Sequence, residues 1–159
     1  MSFDSERGHE RALDEIDWRI LGLLQEDARL SFAEIGRRVN MSSPAVTERV
    51  QRLEEAGIIE GYTAKVNYTK LGYPIRASIC IANLKDGKPE NRVALMNRIP
   101  EVIECHRVTG PDSYLVMVAA ADMARLEQVI MQLDELGRIT TSMILATPIA
   151  LKPIQHNQS

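Results

Sequence analysis

The sequence predicts an α+β protein in two parts, an N-terminal winged helix-turn-helix followed by a ferredoxin-like βαββαβ domain. Three observations carry this expectation. Residues 31–59 read as two short amphipathic helices joined by a tight turn. A turn-rich stretch from Thr69 to Pro74, with Gly72 and Pro74 inside it, then punctuates the chain. Beyond Ile75 the hydrophobic pattern switches to strands and helices in the order βαββαβ, the split βαβ arrangement. The 159 residues accordingly divide into a tail (1–12), a helix-turn-helix domain (13–67), a linker (68–74), a second domain (75–152) and a closing tail (153–159).

Leu13, Ile16, Ile20, Leu23 and Leu24 follow helical spacing, with Asp14 placed to cap the helix. This first helix supplies an apolar floor, and Trp18 falls toward its side as a packing residue. Ser31 and Glu34 form the capping-box pattern for a second helix, whose buried face is Phe32, Ile35, Gly36 and Val39. Asn40 and Met41 break that pattern. Ser42 or Ser43 caps the third helix, and Pro44 sits in its first turn, where a missing amide costs nothing. Val46, Val50 and Leu53 are its buried face; Pro44, Glu48, Gln51 and Arg52 lie opposite, flanked by Thr47 and Arg49. Gly57 suits the end of this helix, leading into an extended wing from Glu60.

A short polar helix held by a preceding one is how a helix-turn-helix places side chains in a major groove. The candidate DNA-reading residues are Ser42, Ser43, Pro44, Thr47, Glu48, Arg49, Gln51 and Arg52, with Arg37 and Arg38 on the helix before. Two capped amphipathic helices also occur in all-α domains that never meet DNA. Between Leu13 and Lys65 acidic residues outnumber basic ones, so a domain-wide basic footprint is absent.

In the second domain, Ile75–Leu84, Val102–Val108, Ser113–Ala120 and Ile139–Leu151 read as strands. Pro89–Ile99 and Asp122–Leu136 read as helices, the latter opened by an Asp cap. Several strands are apolar on both faces: Tyr114, Val116 and Val118 alternate with Leu115, Met117 and Ala119. Helices can cover only one face, so a second subunit is expected over the other, with Tyr114, Val116 and Val118 buried against it in an obligate dimer.

The whole-chain composition is ordinary: 45% hydrophobic, 26% charged and −3 at pH 7. No apolar run approaches a membrane span and the polar start lacks a signal-peptide core, which points to a cytoplasmic protein. Cys80 and Cys105 are too few for a disulfide framework, and His9, His106 and His156 are scattered. Cys105 and His106, adjacent on a strand, point to opposite faces and make no nucleophile–base pair. Without a phosphate-cradling glycine loop or a metal-ligand cluster, no enzyme and no cofactor is expected.

The order of these parts resembles the Lrp/AsnC family of transcription regulators, across roughly Leu13 to Leu151. Four segments carry the resemblance: LDEIDWRILGLLQEDARLSFAEIGRRV, SSPAVTERVQRLEEAGII, VTGPDSYLV and ITTSMIL. It implies transcription control modulated by a small effector, commonly an amino acid, held by the C-terminal domain between dimers. The positions matching the family's G-x-x-D-Y-like turn are Gly110, Asp112 and Tyr114, flanked by Val108 and Thr109. Thr140, Thr141 and Ser142 match on the closing strand. Here the acid precedes Ser113 instead of the tyrosine, a departure from the pattern, and Gly110-Pro111-Asp112 is also good turn chemistry without a ligand. The implied partners are a roughly palindromic double-stranded operator and further copies of the chain, up to four dimers. The alternative is an amino-acid-sensing module with little DNA-binding role.

Overall fold

The computed structural model describes residues 12–154. His9, His156 and most of both expected tails lie outside the described residues. The described residues form two compact units: 12–64 together with 149–154, and Lys65–Pro148.

The first unit is built on α1 (Glu15–Glu26), α2 (Phe32–Val39) and α3 (Ser43–Glu55). Ile20, Ile35, Val46 and Val50, none more than 1% exposed, form its core, with Leu13, Ile16 and Trp18 packed at the margin. Asp14 caps α1 through a complete capping box: the Asp17 N–H donates to Asp14 Oδ1 at 2.8 Å and the Asp14 N–H to Asp17 Oδ2 at 3.2 Å. The box expected at Ser31 and Glu34 is only half formed. Ser31 Oγ accepts the Glu34 N–H, but the Glu34 carboxylate turns to Arg37 and Arg38 on its own helix. Asn40 ends α2 in the left-handed region at φ 58°, which its short polar side chain tolerates. Gly36, buried inside α2, faces the turn before α3, where a Cβ would stand 2.5 Å from the Met41 carbonyl oxygen. Gly57 (φ 67°) follows α3, and the Ile58 and Ile59 amides close onto the Leu53 carbonyl.

The expected wing is not a β-wing. From Glu60 to Asn67 the chain carries no strand, because nothing among the described residues of this unit offers it a ladder partner. Tyr62 instead donates its hydroxyl to Glu54 Oε1 at 2.8 Å, and burial with that carboxylate raises the phenol pKa to about 12.

In the second unit, β1 (Ile75–Ala82), α4 (Pro89–Asn97), β2 (Val102–Arg107), β3 (Asp112–Ala120), α5 (Met123–Asp134) and β4 (Arg138–Met143) follow the expected order. The sheet runs β2-β3-β1-β4, antiparallel throughout. The stretch expected as a linker folds into a hydrogen-bonded turn at Tyr68–Gly72, and the Arg76 guanidinium lies over the Tyr68 ring at 5.6 Å. β4 stops at Met143 rather than Leu151. Its partner β1 begins at Ile75, and Ile144 N–H to Arg76 O at 2.8 Å is the last bond before the pairing runs out. Residues 149–152, expected to close the second domain, and 153–154 of the expected tail group with the first unit, where Gln25 of α1 bonds Ile154.

The two sheet faces differ from expectation. Ala77, Ile79, Ile81, Tyr114, Val116 and Val118 pack in one core with Met96, Ile99, Leu126, Val129 and Leu133 of the helical segments. Tyr114, Val116 and Val118 are therefore buried within their own chain, not against a partner. The face without helices carries Ser78, Cys80, Leu115 and Met117, each half-buried. Alternation was legible, but it does not say which set the helices cover. At the start of β2, Glu101 is 7% exposed and accepts from Arg125 of α5, fastening that helix to the sheet.

Candidate nucleic-acid interface and effector face

α3 presents its polar residues as expected from their spacing. Ser42 Oγ accepts the Ala45 N–H at 3.4 Å, Pro44 occupies the first turn, and no acidic residue lies there. The partial positive charge of the helix start is thus left open to an anion. Pro44, Glu48, Gln51 and Arg52 are exposed; Ser43 and Thr47 are half-buried. The Thr47 hydroxyl donates to the Ser43 carbonyl at 3.0 Å, so part of its capacity is spent inside the helix. On α2, Arg37 and Arg38 are exposed, with side chains 77% and 46% accessible, and both share Glu34. Arg19 of α1 joins that edge by donating to the Arg38 carbonyl at 2.6 Å.

Arg49 does not join the open face. Its guanidinium turns inward and donates from Nη1 to Asp14 Oδ2 and Asp17 Oδ1, both at 2.7 Å. Helical spacing placed it on the flank of α3; the two carboxylates at the start of α1 draw it to the packed side. The Arg49 hydrogen bond holds the Asp14 carboxyl below its ordinary range, and the pair of acids raises the Arg49 pKa. Arg52 Nη2 stands 3.6 Å from Asp17 Oδ1 while its side chain stays 44% exposed. Sequence reasoning missed Asp17 as the hub; the i, i+3 acid pair Asp14/Asp17 was its signal.

In the second unit the expected effector residues split. Val108 N–H bonds the Ser113 carbonyl at 3.1 Å, closing the turn that holds Thr109 and Gly110, the latter at φ 107°. The β1–β3 register slips between Ile81 and Ala82, so Asp112 pairs with Ala82 and Ser113 is the extra residue of a bulge. Asp112 thereby reaches the Cys80 thiol. Burial first, then the Asp112 charge and hydrogen bond, raise the Cys80 pKa. Thr140 pairs with Cys80 and Ser142 with Ser78, on the same uncovered face. Thr141 pairs with Ile79 on the helix face, and Tyr114 is 5% exposed in the core. Asp112, Cys80, Thr140 and Ser142 are thus brought to one face, from which Tyr114 and Thr141 are excluded. Cys105 lies on the covered side, with its sulfur 3.6 Å from Met96 Sδ.

These features define a helix-turn-helix protein with a separate α+β domain. Residues 13–54 match the AsnC-type helix-turn-helix domain, and residues 78–154 match the Lrp/AsnC ligand binding domain. The chain is 34% identical to the HTH-type transcriptional regulator LrpC of Bacillus subtilis, over 84% of this chain and 92% of that one. The solved structure of B. subtilis LrpC superposes with a TM-score of 0.82 at 32% identity, covering 87% of this chain and 99% of that one. A Neisseria meningitidis regulator, NMB0573, solved as a complex with L-Met, gives a TM-score of 0.84 at 26% identity, over 91% of this chain and 97% of that one. The chain belongs to the Lrp/AsnC family of helix-turn-helix transcription regulators. No helix among the described residues is long and apolar enough to cross a membrane.

Proposed function

We propose that this regulator reads its operator with Ser42, Ser43, Pro44, Glu48, Gln51 and Arg52 of α3, with Arg37 and Arg38 contributing phosphate contacts. The observation that carries this is the capped, acid-free start of α3 beside an exposed polar stripe opposite Val46, Val50 and Leu53. A homodimer through the uncovered sheet face presents two such helices to a roughly palindromic site, with half-sites about one helical turn or a multiple apart. An amino acid tunes assembly or DNA affinity, as the L-Met complex of the N. meningitidis relative supports. In that role Asp112 meets the ammonium, while Thr140, Ser142 and turn amides around Gly110 hold the carboxylate. Assembly to four dimers and residence in the cytoplasm belong to the same reading, as does the absence of enzymatic activity.

Gel-shift titration of the full chain on its own upstream DNA, with and without each common amino acid, tests the reading. A shift altered by one amino acid and lost in Arg52→Ala supports it. The sensing-only alternative requires amino-acid binding with no DNA shift at any protein concentration.

A further inference from the structure

The charges around Asp17 form a balanced set of four. Asp14 and Asp17 supply two negative charges, and Arg49 and Arg52 two positive. Arg49 is committed: its side chain is 19% exposed and it donates to both acids at 2.7 Å. Arg52 is different. It lies 3.6 Å from Asp17, beyond a good hydrogen bond, and its side chain is 44% exposed on the helix that also carries Glu48 and Gln51. Asp17, 8% exposed at its side chain, is held in place by the capping box and by Arg49. It is a fixed negative charge beside a movable positive one.

From this geometry we infer that Asp17 restrains Arg52, competing with DNA phosphates for its guanidinium and so suppressing sequence-independent binding. Removing Arg52 from the cluster leaves two acids facing Arg49 alone, a net negative charge in a partly buried place. A lone phosphate on random DNA must overcome that cost. The restraint therefore lowers sequence-independent affinity. Asp17 touches no DNA in this account; it is a positioning residue acting through Arg52.

The inference rests on the proposed contact of Arg52 with DNA, and the experiment separates the two. Affinity of the full-length protein for a random-sequence duplex is measured against salt for the parent, Arg52→Gln, Asp17→Asn, Asp14→Asn and the double variant Asp17→Asn/Arg52→Gln. Asp17→Asn removes the charge and keeps one acceptor oxygen, enough for the Asp14 amide or for Arg49 but not both, since the carboxylate serves them with different oxygens. It should raise random-duplex affinity severalfold and steepen the log–log salt slope by about 0.9, the signature of one more phosphate contact. Asp14→Asn, which keeps a good N-cap, should move both readouts the same way by less and serves if Asp17→Asn does not fold. The double variant should lose the gain. A purely structural Asp17 would lower affinity without steepening the slope. If Arg52→Gln weakens binding to the protein's own upstream DNA but neither Asn variant steepens the random-duplex slope, the restraint is overturned and the DNA contact stands. If Arg52→Gln binds that upstream DNA like the parent, both are overturned.

Discussion

Gln25 and Ile154 are joined by one carboxamide used twice: Gln25 Oε1 accepts the Ile154 N–H at 3.0 Å, and its Nε2 donates toward the Ile154 carbonyl at 3.4 Å. The pairing satisfies both backbone polar groups of Ile154. It is what ties residues 149–154 to the unit that begins the chain. Gln25→Ala should cost about 0.5–1.5 kcal/mol in urea unfolding and quicken carboxypeptidase trimming past Ile154. Unchanged trimming would mean that the segment is held by something other than Gln25.

Arg49→Met should destabilise the first unit by about 1–3 kcal/mol, since it strips the main charged partner from the buried Asp17. Asp14 adds a pH signature. Its folded pKa is depressed below 3.8, so the stability it contributes is present above that value and lost as pH falls through the folded pKa. Asp14→Asn should flatten the acid limb of the stability profile below about pH 4 while leaving neutral-pH folding cooperative. A parent and variant with superimposable acid limbs would contradict the assignment.

Two glycines give opposite expectations. Gly36→Ala drives a methyl to 2.5 Å from the Met41 carbonyl oxygen and should cost about 1–3 kcal/mol, with operator binding falling as the turn before α3 is displaced. At Gly22, inside α1, an added methyl meets nothing within 4 Å. Gly22→Ala should stabilise by about 0.5–1 kcal/mol, readable as a higher melting temperature.

Assembly should respond to one sheet face and stability to the other. Leu115→Glu and Met117→Glu place charges on the uncovered face and should yield folded monomers in sedimentation. Ile79, 0% exposed beneath the helices, should cost about 2–5 kcal/mol when truncated to Ala, whatever the oligomeric state. A Leu115→Glu protein that sediments as a dimer would move the interface elsewhere.

The fold was legible where periodicity and caps agree. Ser42-Ser43-Pro44 marks the start of α3, Asp122 that of α5, and the alternation of β1 and β3 their pairing. What failed to show was long-range. Arg49 reads as a flank residue until the acids of α1, 32 and 35 positions away, stand beside it. Tyr114 and Leu115 are both apolar strand residues, and only the docked helices decide which of them is core. The segment from Glu60 has strand-like residues but no ladder partner among the described residues, and β-pairing is a property of two segments, not one. At the candidate effector site the turn and the hydroxyls were readable. The role of Cys80 was not, because it depends on a register slip in the neighbouring strand.

That slip at Ser113 bears on how relatives are compared. In an unbroken ladder the residue before Tyr114 would hold the position opposite Ala82; here Ser113 occupies that place in the sequence and Asp112 in space. An alignment column pairs residues by order, whereas a ligand meets them by position. In this chain the bulge sets Asp112, not Ser113, opposite Ala82, so the carboxylate that faces Cys80 stands one residue earlier in the sequence than an unbroken ladder would put it.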